Sequence, residues 1–147
     1  MFKKILLAYD GSEGANRALD AGLELARLHQ AELWALTVQE GVPRFSATMD
    51  EVQEEKAYAN QHTSEVLAAA RTRAQEAGFD LKTLKHLGHP AQTIIQVAGE
   101  GKFDLILLGH SGLSGVWAKF LGTTAEKVSR HAPCSVLIVR QDRCLKA

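Results

Sequence analysis

Short apolar runs of strand length alternate along this chain with longer stretches of helical periodicity. That alternation restricts the fold more than any other feature. Lys4 to Tyr9 (KILLAY), Glu32 to Val38 (ELWALTV), Asp80 to Leu87, Asp104 to Leu108 and Ser135 to Arg140 (SVLIVR) read as strands. Ser12 is an N-cap for a helix running to about His29, with Ala15, Ala18, Leu19, Gly22, Leu25 and Ala26 on one face. A long helix spans Met49 to Ala77, with Val66, Leu67, Ala70, Ala74 and Ala77 facing inward and Gly78 as its stop. Pro90 suits the first turn of a short helix to about Gly99, and a fourth helix starts near Thr123 and ends before Pro133. The third strand is the most polar and belongs at or near an edge. Strands alternating with helices imply an α/β fold: a doubly wound, Rossmann-like parallel sheet of five strands with helices on both faces, in the expected order 3-2-1-4-5. The 147 residues fit one domain, 1–147, with no internal repeat and no linker; Gly41 to Thr48, holding Pro43, reads as a surface loop.

Composition removes several functions. Apolar residues make up 46% of the chain and aromatics only 6%, so the core is aliphatic. Seventeen basic residues balance seventeen acidic ones, whereas affinity for a phosphate backbone needs surplus Lys and Arg; no nucleic-acid partner is expected. No apolar run approaches the roughly 20 residues of a membrane-spanning helix, so no membrane partner is expected either. Cys134 and Cys144 lack metal-ligand spacing and are too few for a disulfide framework. With Met1-Phe2-Lys3-Lys4-Ile5 leading directly into a strand and no signal segment legible, a reduced, cytoplasmic setting is expected.

The chemistry concentrates at two strand ends. In an open doubly wound sheet, ligands bind beyond the carboxyl ends of the strands, where the order reverses. Asp10-Gly11-Ser12 follows the first strand, and Gly109-His110-Ser111-Gly112 follows the fourth. After nine intervening residues come Gly122 and Thr123, where a helix begins. Glycines admit a close anion, and the free N–H groups of a helix start favour negative charge, so this stretch reads as a phosphate cradle. With strands one and four as neighbours, Asp10 and Gly109 face one crevice. The G-x-x-x-x-G-K-[ST] loop, the G-x-G-x-x-G fingerprint and the G-x-S-x-G elbow are all absent.

Gly109-x2-Gly112-x9-Gly122-Thr123 resembles the ATP-binding signature of the universal stress protein family. Lys4 to Ser12 is similar to that family's first strand and turn, Gly88-His89-Pro90-Ala91 to its turn into the third helix, and Cys134 to Val139 to its last strand. The resemblance covers essentially the whole chain and implies a set of roles. Gly109, Gly112, Gly122 and Thr123 would surround the phosphates of ATP, with Thr124 adding a donor. Asp10 would contact the ribose or act through a divalent cation, Mg or Mn, carried by the phosphates. Val38 would meet adenine through its backbone, and Ala8, Tyr9 and Leu108 would line base and ribose. His110 and Ser111 lie between the glycines and count among the binding residues. The resemblance also implies a homodimer formed through Val136 to Arg140.

Each signal has a plainer reading. The glycine stretch alone is compatible with an ordinary strand–helix turn, and Asp10 with an acid favoured by a helix dipole. His110 is either a phosphate donor or a solvated loop residue. No acid–base pair is visible around Ser111 to make it a nucleophile. Trp117 and Phe120 read as packing for the spacer, and Lys119 and Lys127 as solvated. The expected function is that of an ATP-binding regulatory or protective stress protein. No general base or arginine finger is evident, so at most slow hydrolysis or autophosphorylation is expected. The alternative is an adaptor or chaperone-like module whose nucleotide is only structural.

Overall fold

The computed structural model describes residues 1–41, 48–110 and 121–141. Its elements are β1 (Lys4–Ala8), α1 (Glu13–His29), β2 (Glu32–Gln39), α2 (Met49–Glu76), β3 (Lys82–Leu87), α3 (Pro90–Glu100), β4 (Leu105–Gly109), α4 (Thr123–His131) and β5 (Ser135–Val139). The five strands form one sheet in the order β3-β2-β1-β4-β5. Every pairing is parallel. The order reverses between β1 and β4, which puts the switch point at the centre of the sheet.

Two-residue alternation along the strands divides the core into two layers. Ile5, Leu7 and Tyr9 of the first strand region, with Leu33, Ala35, Leu105 and Leu107, pack under α1 and α2. Leu6, Leu36, Ile106 and Leu108 pack on the opposite face, under α3 and α4. Ile5, Leu6 and Leu7 are fully buried. Each such side chain contributes about 1.5–3 kcal/mol relative to exposure. The three-residue run is apolar throughout because both faces of β1 are covered.

Local chemistry sets where the elements begin and end. The Ser12 side chain accepts from Ala15 N at the start of α1. Gln30 stops that helix in the left-handed region (φ 52). Thr48 and Glu51 form a reciprocal capping box for α2. Gly78, with φ 74, follows its end. The Asp104 carboxylate accepts from Lys3 N (2.7 Å) and Lys4 N (3.2 Å), tying the base of β4 to that of β1. Three strands are shorter than their sequence patterns: Tyr9 lies beyond β1, β3 pairs only from Lys82, and Arg140 lies beyond the last β5 pairing, Gly109↔Val139. As its polar sequence suggests, β3 is an edge strand, and β5 forms the other edge. Among the described residues no helix is long and apolar enough to cross a membrane.

Candidate nucleotide site

At the carboxyl end of β1 the chain turns through Asp10 and Gly11. Gly11 takes φ +83, a conformation that side-chain-bearing residues rarely adopt. Asp10 is exposed, and its Oδ1 accepts from Ser12 N (2.9 Å). With Ser12 capping Ala15 N, the start of α1 is closed by its own side chains.

The end of β4 lies against that start. A Cβ on Gly109 would come within 2.3 Å of Gly14 O, and a Cβ on Gly14 within 2.4 Å of His110 O. Both glycines are therefore required by the contact between the start of α1 and the end of β4. His110 is buried at 8% exposure, and its backbone N donates to Val139 O (2.9 Å). The solvated-loop reading of His110 is thereby corrected: the end of β5 and the neighbouring elements enclose it.

Helix α4 starts differently. Its N-cap, Gly122, has extended backbone and makes no side-chain cap. The first N–H groups of α4 are therefore not closed by an N-cap side chain, unlike those of α1 and α2. Arg130 and His131 in its last turn oppose the C-terminal end of its dipole.

A cavity of about 670 Å³ opens between these strand ends and helix starts. Ten of the residues expected at the site line it: Ala8, Tyr9, Asp10, Val38, Leu108, Gly109, His110, Gly122, Thr123 and Thr124. Ser111 and Gly112 lie outside the described residues, as do Pro43, Trp117, Lys119, Phe120 and Cys144. Sequence reasoning missed Leu36, Pro90 and Ile94, which also line the cavity, along with Glu40 and Ala125. Leu36 was accessible from strand alternation with Val38.

The lining is chemically two-ended. Ala8, Leu36, Val38, Ile94 and Leu108 give an aliphatic slot, while Gly122, Thr123 and Thr124 bring the open start of α4. No lysine or arginine lines the cavity among the described residues; Asp10 and Glu40 are its acids. The ring of Tyr9 belongs to the α1/α2 core, and its hydroxyl donates to Asn16 Oδ1 (2.6 Å). Burial pushes that phenol above its usual pKa. Tyr9 thus presents main chain to the cavity, held by Tyr9 N donating to Leu36 O and by the Thr37 hydroxyl donating to Tyr9 O. No group of three or more His, Cys, Asp or Glu side chains suited to a metal exists among the described residues. Burial also raises the pKa of the Cys134 thiol, which disfavours its reactive thiolate.

The chain is similar to proteins of known family. The family model described as "Universal stress protein family" matches residues 1–140. Universal stress protein YxiE of Bacillus subtilis is 37% identical, over 95% of this chain and 100% of the relative. Universal stress protein UspA from Lactobacillus plantarum superposes with a TM-score of 0.80 at 32% identity, covering 95% of this chain and 98% of that one. A universal stress protein crystallised in complex with cAMP superposes with a TM-score of 0.72 at 27% identity, covering 96% and 99%. By the span of the family match and the identity to its relatives, the chain belongs to the universal stress protein family.

Proposed function

We infer that the cavity binds ATP and that the protein acts as a nucleotide-responsive regulatory or protective component of a stress response. The observation that carries this reading is the two-ended cavity lining: an aliphatic slot facing a helix start whose N-cap, Gly122, makes no side-chain cap bond. Adenine lies between Val38, Leu36 and Ile94. The phosphates meet the N–H groups and hydroxyls of Gly122, Thr123 and Thr124, where the α4 dipole favours negative charge. The ribose hydroxyls meet the carboxylate of Asp10. A carboxylate next to phosphate is repulsive, so Asp10 is suited to a hydroxyl donor or to a Mg or Mn ion carried by the phosphates. The cAMP complex of a relative supports an adenine nucleotide as the ligand class.

The described lining offers no arginine or lysine to stabilise charge developing on a transferred phosphoryl group, so the residues are suited to holding the nucleotide rather than to rapid phosphoryl transfer. The working form is a cytoplasmic homodimer joined through Val136 to Arg140, with neither nucleic acid nor membrane as partner. Mass identification of the small molecule released when the purified protein is denatured tests the ligand. An adenine nucleotide is expected; a different class of bound molecule overturns the reading.

A further inference from the structure

One side of the β3 backbone has no neighbouring strand, because β3 is the outermost strand beside β2. Gly88 N donates to Gln39 O of β2. Strand alternation puts the backbone groups of Leu84 and His86 in phase with Gly88, toward β2. The N–H and C=O groups of Thr83, Lys85 and Leu87 therefore point away from the sheet. Lys85, His86 and Leu87 are exposed, Leu87 at 71%, so this half of the edge is open to solvent. An open edge of this kind is a template for a further strand.

Charge decides which strand fits. On the α2 side of the edge, Arg71 Nη2 donates to Thr83 Oγ1 (2.5 Å), and Lys85 Nζ donates to Asn60 Oδ1. Both cations thus rest on neutral oxygens, and no carboxylate pairs with either among the described residues. Asn60 and Arg71 lie three turns apart on one stripe of α2, which also carries Gln53, Lys56, Ser64 and Gln75 and is neutral or basic throughout. Lys82, at the start of β3, is already matched by Glu32 (3.1 Å), so the unmatched charge is that of Arg71 and Lys85. Pairing with a second copy of β3 would bring lysine near lysine, which is unfavourable. An extended segment with carboxylates at alternate positions suits the edge: its backbone continues the sheet, and its acids fall together on the side of Arg71 and Lys85.

We propose that the free edge of β3 binds an extended acidic segment of a partner protein by strand addition, with backbone bonds to Thr83, Lys85 and Leu87 and alternate carboxylates at Arg71 and Lys85. No residue of β3 lines the nucleotide cavity, so the two sites are separate.

Titration of the full chain with a blocked octapeptide alternating glutamate with threonine, followed by amide NMR and hydrogen exchange, tests this without involving nucleotide. Saturable binding is expected, with exchange slowed at the amides of Thr83, Lys85 and Leu87 and little changed at those of Leu84 and His86. A peptide of the same composition with its glutamates in one block carries the charge without the alternation, and is expected to bind about tenfold more weakly. The exposed change Lys85→Glu is expected to weaken the alternating peptide about tenfold or more, the loss of roughly one charge-assisted contact. Leu87→Pro removes an outward donor that β2 does not use, and is expected to reduce binding while the unfolding temperature holds. Unchanged exchange at the three outward amides, equal affinity for the two peptides, or undiminished affinity in Lys85→Glu would each overturn the proposal. So would slowed exchange at those amides in the free protein that disappears on dilution, which would mean that a second copy occupies the edge.

Discussion

Gly109 has no room for a methyl group, because Gly14 O occupies the space a Cβ would need. Gly109→Ala is therefore expected to destabilise the fold by about 1–3 kcal/mol, the usual cost of overpacking. Denaturant unfolding checks this, and unchanged stability would refute the packing role. From sequence this glycine read only as part of an anion loop. Its contact with α1 joins residues far apart in the chain, and local spacing carries no trace of it. The Arg73–Asp20 pair was equally hidden. Paired hydrogen bonds from Arg73 hold the Asp20 carboxyl below its ordinary pKa. A group shifted downward contributes stability above its unfolded pKa and loses it as pH falls through the folded value. Both partners are largely exposed, so Asp20→Asn should cost only about 0.2–1 kcal/mol near neutral pH. That deficit should disappear on acidification below the usual carboxylate range, which unfolding curves at neutral and acid pH would reveal.

Among the elements, the contrast between α1 and α4 matters most. Ser12 closes the start of α1, whereas Gly122, the N-cap of α4, makes no side-chain cap bond. Gly122 has φ −65 and ψ 159, which any residue adopts, so Gly122→Val should leave the fold within about 1 kcal/mol of the parent. The branched side chain is expected to obstruct the phosphates and abolish ATP binding, checked by calorimetry alongside thermal unfolding. Retained ATP affinity would argue against phosphate contact at this helix start. The elements themselves were legible because short apolar runs mark the strands covered on both faces and 3.6-residue periodicity marks the helices between them. Their ends were less so: β3 starts at Lys82 rather than Asp80, since pairing to Trp34 of β2, not local sequence, sets its first residue. In the site, residues on strand ends were legible through topology, whereas Ile94 enters only because α3 packs across the crevice.

For the whole molecule, β5 is an edge of the sheet, and Leu137 at its middle is 41% exposed. An aliphatic edge invites pairing with another strand, and a two-fold contact through β5 would cover it. Light scattering should therefore give a dimer for the parent and a monomer for Leu137→Lys; a monomeric parent at micromolar concentration would contradict that assembly. A nucleotide-responsive role requires that the cavity at the switch point hold ATP. The direct measurement is a calorimetric titration of the purified, nucleotide-free protein with ATP, with and without magnesium, paired with a thermal-shift series. Saturable binding and a rise in unfolding temperature that follows ATP concentration are expected. No heat and no thermal shift at millimolar ATP would contradict it.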